Sequence, residues 1–521
     1  MTTNKTKNQK GALLIYLIIF IGVFAMVMVP VVGTFIGKIQ LLRLTIMREQ
    51  AFQIAEAGIN YYQWHMVAFP GDFQDGTGQA GPYIHDYIDY DIPGTQKIGQ
   101  FSLTITPPQM GSSSIVVSST GWTDENPNVK RTITATYGVS SLASYALLTH
   151  SWIYAWNSES YNGPIHSDTG IRFEGNTQSI ITSSVASTYM SDCNQEYPEN
   201  PDCNQQVSRP AIWATGANQG QSSVYWSNPA TTADFTGIST SFSTIAEQSQ
   251  SPENISLPNN TNGYSLVFNS NGTVSVYKVL STINTGSRFP VIKALSDGTN
   301  TGLGYINGGT DYKTGICNNA NCNNCGNNGR CFLYTKTIGP DGMVISSINN
   351  LWAEGTVKGR VTVAASNPSA VNTNPNASNI TTSLMPNIYI PGNLRYSTNE
   401  SGSGSSADTI GLMSQGSIVV TKNAPDTTYI NGALLAQKGF IAFPICYSGS
   451  DRAKTNLYIF GSMIMNGSWW FNFTNYCGSS FTDGFLHPNF SWDPNLLYYP
   501  PPYFPSSSVS SSLQLSKWVT N

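Results

Sequence analysis

Residues 12–37 carry no charged side chain, and this apolar run passes into a segment where Ile39, Leu42, Ile46, Phe52, Ala55 and Ile59 recur at helical spacing between polar residues. The run exceeds the roughly 20 residues an α-helix needs to cross a bilayer core. The pattern therefore predicts one helix, residues 12–65, that spans a membrane and continues beyond it. Pro30 has no N–H to donate and its ring meets the preceding turn, so a local kink is expected within the span. After the helix the period changes to two. GQFSLTITP, SSSIVVSSTGW and VKRTITATYGV alternate apolar and polar positions, and DENPN between the last two supplies turn chemistry, which predicts a small antiparallel sheet over residues 66–140.

From 141 to 505 the apolar positions shorten to strands of three to five residues separated by Gly, Asn and Ser, as in YNGPIHSDTGIRFEGNTQSIITSSVAS and DTIGLMSQGSIVVTKNAPDTTYINGALLAQKGFIAFP. No strict repeat period is present. Short strands and tight turns at this spacing predict a parallel β-solenoid, in which each rung buries its strand against the next. Residues 205–300 break the pattern with the helical stretch ADFTGISTSFSTIAEQSQ and a hairpin turning at Asn271–Gly272. They are read as an inserted subdomain, the alternative being a coil that loses regularity. Pro500 to Pro502 cannot continue a ladder and are expected to strap the solenoid's open end; residues 506–521 are left as a tail. The expected class is mainly β: a long N-terminal transmembrane helix, a small antiparallel head, then a parallel solenoid (β-helix). A chain of 521 residues exceeds the roughly 250–300 at which one core usually splits, a limit that a solenoid escapes by repetition.

Lys5, Lys7 and Lys10 precede the apolar run, and the cytoplasmic bias of Lys and Arg places the N-terminus inside and everything after Lys38 outside. A secretory signal would have an apolar core of about 7–15 residues and a small-residue cleavage site, and neither is present. A basic leader ending at Gly11, an apolar helix and the motif AFQIAEAG at 51–58 together resemble type IV pilin-like proteins, in particular minor pilins of the PilX type. The resemblance implies a leader, 1–11, that a prepilin peptidase removes between Gly11 and Ala12. It also implies a retained assembly helix that packs first in membrane lipid and then against other pilin-like subunits. Most of the family carries a Glu at the fifth mature position, thought to pair with a neighbour's terminal amine; here that position is Tyr16. The departure implies a subunit at a filament tip or a helix that is never polymerised. A plain signal anchor is the alternative to the whole resemblance. Further segments between about 140 and 505, among them GPIHS, EGTVKGRVTVAA, GLMSQGSIVV and DPNLLYYPPPYFP, resemble the ectodomains of pilin-like surface proteins, which implies architecture and surface location but no chemistry.

Eight cysteines, all on the presumed exterior side, fit an oxidising compartment. Cys193 and Cys203 flank one loop, and Cys446 and Cys477 bracket one rung, so each couple is a candidate disulfide. Cys317, Cys322, Cys325 and Cys331 lie in CNNANCNNCGNNGRC, whose first three have the C-x4-C-x2-C spacing of an iron–sulfur ligand set, and four thiolates could also hold zinc. The compartment favours disulfides there, so no metal and no cofactor is expected. Asp297 and Asp311 stand in a Gly-rich stretch that lacks a calcium-binding nonapeptide.

Catalytic candidates are thin. Asp168 and Glu174 flank Arg172 beside His166, and strand alternation turns Arg172 and Glu174 to one face, where a surface ion pair is expected. His166 has no Ser, Cys or metal-ligand partner at a recognisable spacing and is read as a satisfied turn residue. H-E-x-x-H, G-x-S-x-G and Walker sequences are absent. The chain is not expected to be an enzyme. Its 27 Tyr and 11 Trp, with clusters SWWFNF and LLYYPPPYFP, point instead to stacking on the sugar rings of cell-surface glycans, while a net charge of −4 argues against a general nucleic-acid binder. Only 10% of residues are charged, against about 25% in soluble domains. The expected function is a minor or tip subunit of a type IV pilus-like filament presenting the solenoid for adhesion. A membrane-anchored extracellular carbohydrate-active enzyme and a purely structural envelope protein are the alternatives. The expected location is a single-pass membrane protein with a cytoplasmic N-terminus and its bulk outside, at the cell surface or pilus after processing.

Overall fold

The apolar run and its continuation form one helix, α1 (Lys10–Ala68), which is uninterrupted at Pro30. The computed structural model describes residues 10–69, 72–89, 96–107, 115–138, 141–155, 160–191, 206–214, 226–227, 230, 232–233, 235, 237–283, 288–294, 300–307, 311–312, 315–319, 322–326, 328–368, 385–398, 408–444, 453–474, 482–506 and 514–520. The chain divides into two compact units, one holding residues 1–107, 115–137 and 517–521, the other residues 108–114 and 138–516. As expected from the sequence, a long apolar helix is followed by a mainly β chain with an antiparallel head sheet and then parallel strands.

In the first unit, β1 (Tyr83–Asp89), β2 (Gln96–Thr106), β3 (Ile115–Thr123) and β4 (Arg131–Gly138) pair antiparallel in chain order. A fifth strand, Gln514–Thr520, lies next to β4 where the sequence pattern left a tail. Seven residues, QLSKWVT, without apolar and polar alternation carry too weak a signal to separate an edge strand from a tail. Along β3 burial alternates strictly, so Ile115 and Val117 enter the core with Leu103, Ile133 and Ala135. Ala51, Ile54, Ala55, Ile59 and Tyr62 of α1 are buried. The small residues of AFQIAEAG let strand and helix backbones approach: a Cβ on Gly121 would stand 2.4 Å from the Ala51 carbonyl oxygen, and one on Gly58 would stand 2.3 Å from Ser119 Oγ. Ile39, Leu42 and Ile46, which the helical spacing extends into the same stripe, stay more than half exposed. From its N-terminal end, Met47 is the first half-buried side chain of α1 among the described residues.

The second unit is a coil of stacked parallel strands. One column of side chains runs in register through Ile255, Ile345, Val363, Leu412, Leu434, Met463, Leu147, Ile165, Ile181 and Trp226. All but Trp226 are buried in a single core. A second column passes through Leu351, Ile388, Ile418, Ile441 and Trp469. Each strand is too short to bury its residues alone, so the cohesion of the coil is nearest-neighbour packing between rungs. At one corner, Thr149, Ser167 and Ser183 are fully buried, and each hydroxyl accepts a hydrogen bond from the amide two residues on, at 2.9, 3.0 and 3.3 Å. Ser167 and Ser183 also donate to the carbonyls of Ser151 and Thr169 at the preceding corner. These hydroxyls satisfy backbone that the bend removes from the ladder.

The stacking order is a cyclic permutation of the chain order. The chain enters the middle of the stack at Leu147–Thr149 and advances through Ile165–Ser167 and Ile181–Ser183 to Trp226–Ser227 at one end. It resumes at the opposite end with Ile255–Leu257 and coils back until Met463–Met465 pairs with Leu147–Thr149. The return path lies on a flank. Ala230 N donates to Ser183 O, Ala233 N to Asp168, and Gln437 Nε2 to Phe235 O. Helix α2 (Ile238–Gln248) then packs Ile238, Phe242 and Ile245 in one cluster with the outward residues Leu148, Ile464, Leu435, Met413 and Ala364.

Two expectations change here. Residues 205–300 hold rungs of the coil as well as the connector: Ile255–Leu257 pairs with Ile345–Ser347, and Tyr264–Phe268 with Leu351–Gly355. The break in pattern marks a change of direction along the stack, and among the described residues of that region Gln206–Pro210, Thr282–Ile283 and Arg288–Ala294 form separate antiparallel pairs, with Ser187–Ser191, Asp311–Tyr312 and Asn300–Asn307 respectively. The proline-rich segment covers a flank instead of the open end. Arg360 donates to Pro500 O, Thr362 to Pro502 O and Leu142 N to Pro505 O, while Phe504 lies beside Gly411, so the segment crosses several rungs.

Candidate functional site

The sequence assigns function first to the N-terminal helix. From Leu13 to Ile46 its large apolar side chains are exposed, with Leu13 at 72%, Phe20 at 67% and Met26 at 79%. The charge-free stretch 12–37 rises about 39 Å at 1.5 Å per residue, more than the roughly 30 Å bilayer core. It is long and apolar enough to cross a membrane. Gly11, Ala12, Tyr16 and Pro30 all lie within α1, and Tyr16 is 73% exposed. Among the described residues, the head's sheet leaves the first half of α1 uncovered.

The four-cysteine loop carries two interleaved disulfides, Cys317–Cys325 and Cys322–Cys331. The sulfurs of Cys317, Cys325 and Cys331 lie within 4.8 Å of one another, close enough for a shared ion. Sulfur bonded to sulfur is not a thiolate ligand, so a metal would require both bridges to be reduced. Cys193, Cys203, Cys446, Cys477 and Asp297 lie outside the described residues. Asp311 is buried at 1% exposure, and its Oδ1 accepts a hydrogen bond from Asn423 N.

His166, Asp168, Arg172 and Glu174 come to rest on adjoining strands and corners of the first rungs. Arg172 Nε and Glu174 Oε1 are 2.8 Å apart, as alternation predicts, but the pair is buried, not on the surface. The next rung brings Trp213 into register with Arg172, the guanidinium carbon 5.1 Å from the ring centroid. His166 is a strand residue with neighbours the linear spacing did not reveal. Its Nε2 is 3.0 Å from Asp168 Oδ1 and 3.2 Å from Ser184 Oγ, and its Nδ1 is 2.8 Å from Thr182 Oγ1. His150 Nδ1 stands 2.8 Å from Asp168 Oδ2, and Ser184 Oγ and Ala233 N donate to Asp168 Oδ1.

Burial opposes ionisation of Asp168, but the hydrogen bonds from His150, His166 and the Ala233 amide outweigh it and hold the carboxyl well below the usual carboxylate range. Asp168 and Ser184 meet the same imidazole nitrogen, and Thr182 Oγ1 at the other also donates to Ile165 O, so each hydroxyl beside His166 is taken up by hydrogen bonding within the coil. It fastens the return connector to the coil. The overlooked signal was the recurrence every 16 residues of HS at 150, HSDT at 166 and TSSV at 182, close to the rung registers of 18 and 16 that pair Leu148 with His166 and His166 with Thr182.

The aromatic clusters are mostly packed. Trp469, Trp470 and Phe471 are at most 8% exposed, Trp469 and Phe471 in the coil interior and Trp470 against Phe440, and Leu496 and Phe504 lie in the flank cluster. Aromatics displayed elsewhere include Tyr458, 39% exposed, whose ring stacks on Tyr429 at 5.0 Å; the Arg395 guanidinium sits 3.7 Å from the Tyr429 centroid.

No family model matches the chain, and no curated protein matches it. Among solved structures, the chain is similar to the competence-associated pilin ComZ from Thermus thermophilus, at 12% identity and a TM-score of 0.31, over 91% of this chain and 98% of that one. A likeness this distant carries no argument about either fold or function.

Proposed function

We propose that the protein is a membrane-inserted subunit of a type IV pilus-like filament that holds a large disulfide-bearing β-coil outside the cell. The observation that carries this reading is α1: one continuous helix whose first half is apolar and uncovered, and whose second half is fixed to a small sheet through AFQIAEAG. Such a surface is accommodated by lipid before assembly and by neighbouring helices afterwards. Lys5, Lys7 and Lys10 favour a cytoplasmic leader, cut by a prepilin peptidase after Gly11. A coil of several hundred residues repeated along a closely packed filament would collide with its copies, which favours few copies, and Tyr16 in place of an acidic residue favours the tip.

The protein acts by presentation, without catalysis; in support, the carboxylates of Asp168 and Glu174 are both engaged by neighbouring groups. The stacked Tyr429 and Tyr458 beside Arg395 are the described surface best suited to glycan contact. N-terminal sequencing of protein from membranes and from sheared surface material tests the assembly reading. A start at Ala12 in the sheared fraction is expected; an intact Met1 confined to membranes would defeat it.

A further inference from the structure

We propose that Asn271, at the tip of the hairpin Tyr264–Asn269/Thr273–Val279, is an acceptor for an N-linked oligosaccharide. The proposal rests on the reading that the coil lies outside the cytoplasm. Asn271-Gly272-Thr273 is an N-x-[ST] sequon, whose hydroxyl at the third position assists the transfer of sugar to the carboxamide.

Here the required pairing is already made: Thr273 Oγ1 donates to Asn271 Oδ1 at 2.8 Å, and is itself the acceptor of a bond from Asn269 Nδ2 at 3.0 Å. Thr273 is thereby oriented as a donor to Oδ1, which acidifies the Nδ2–H that the transfer gives up and leaves Nδ2 itself outside the bond. Asn271 is exposed, and Gly272, with φ +84°, makes the sharp turn that lifts it off the sheet. Gly272 itself is buried and its carbonyl accepts from Ile338 N, so the exposed part of the tip is Ser270 and Asn271.

Another sequon, Asn254-Ile255-Ser256, shows the opposite arrangement. Asn254 is 5% exposed, donates to Gln248 O and Ser251 Oγ, and accepts from Val344 N, so its side chain is consumed by the fold. In the transfer, Asn271 Nδ2 bonds to the anomeric carbon of a lipid-phosphate-linked oligosaccharide as the bond from that carbon to the phosphate oxygen breaks. The phosphate leaves on its lipid with the electron pair, and one amide proton passes to a base of the membrane transferase.

The test is glycopeptide mass spectrometry on the full chain purified from its own cells, beside protease treatment of those cells intact. The expected result is an oligosaccharide mass on the Asn271 peptide and none on the Asn254 peptide, lost in both Asn271→Gln and Thr273→Ala and retained in Thr273→Ser. A coil that the protease digests from outside, yet carries bare Asn271, overturns the acceptor assignment alone. A coil protected in intact cells overturns the exported reading and this proposal with it.

Discussion

Asp168 joins three parts of the coil, so its replacement should release the connector before it unfolds the rungs. The carboxylate takes hydrogen bonds from His150, His166, Ser184 and the amide of Ala233, and its side chain is 2% exposed. Asp168→Ala removes the acceptor, leaves the Ala233 N–H buried without it, and leaves His166 Nε2 with Ser184 Oγ alone at 3.2 Å. Removing one member of a buried charged network costs about 3–5 kcal/mol. Asp168→Asn keeps one oxygen for the Oδ1 donors and sets an amide nitrogen toward His150. That ring's side chain is 43% exposed and can change tautomer, so about 1–2 kcal/mol is expected.

Hydrogen exchange on the full chain in detergent reads this locally. The Ala233 amide and helix α2 should exchange faster in Asp168→Ala by more than a hundredfold, while the Val363 and Leu412 amides of the coil interior hardly change. The pH dependence has a definite sign. A carboxyl depressed in the folded state stabilises fully above its unfolded value of about 3.9, and that contribution is lost as pH falls through the folded value. The wild-type connector should therefore hold from neutrality down to about pH 4, where the alanine variant is already open. Equal exchange at Ala233 in wild type and Asp168→Ala would show that the cluster fastens nothing.

The other predictions concern the head, the loop and a second buried acid. Gly121→Val sets side-chain atoms against the Ala51 carbonyl and should cost about 3 kcal/mol in denaturant unfolding of the head, whereas a neutral outcome would mean that helix and sheet are less closely packed than described. Thiol counting should find no free thiol on Cys317, Cys322, Cys325 or Cys331; the chain-entropy account gives each bridge, closing 8 and 9 residues of sequence separation, about 2.5 kcal/mol, and stoichiometric zinc or iron with free thiols would refute the pairing. Asp493 is fully buried, and burial raises its carboxyl above the usual range despite the Asn495 amide on Oδ1. Its neutral form stabilises below the unfolded value and that contribution fades as pH rises through the folded one. Asp493→Asn should thus raise the unfolding midpoint at pH 7 and flatten its slope above pH 4, and an unchanged slope would count against the assignment.

Much of this architecture was legible because it rests on local pattern. A charge-free run longer than a bilayer, period-two strands in the head, and Asn271–Gly272 between alternating segments each state their structure within a short window. The candidate site was legible only in part. The apolar helix shows itself in composition, whereas the surroundings of His166 are assembled by stacking: Thr182 and Ser184 lie one rung onward and His150 one rung back. Arg172 and Glu174 were paired correctly by alternation and given the wrong solvent exposure, since Trp213 enters from the next rung.

Rung order was hidden for a different reason. Any short apolar strand of this chain can stack on any other, so the interior column of Ile, Val and Leu identifies rungs without ranking them. What ranks them is the outside. Leu148, Ile464, Leu435, Met413 and Ala364 are apolar at positions that would face water in an uncovered coil, and Phe235, Ile238, Phe242 and Ile245 supply one stripe to cover them. A stripe of that length is satisfied only if the rung at 147–149 adjoins the one at 453–465, across a separation of 318 residues between Thr149 and Gly467. The permuted order follows from burying the connector. The first rungs synthesised cannot complete their stack until the last ones arrive, so closure is bound to the slow, non-local part of folding.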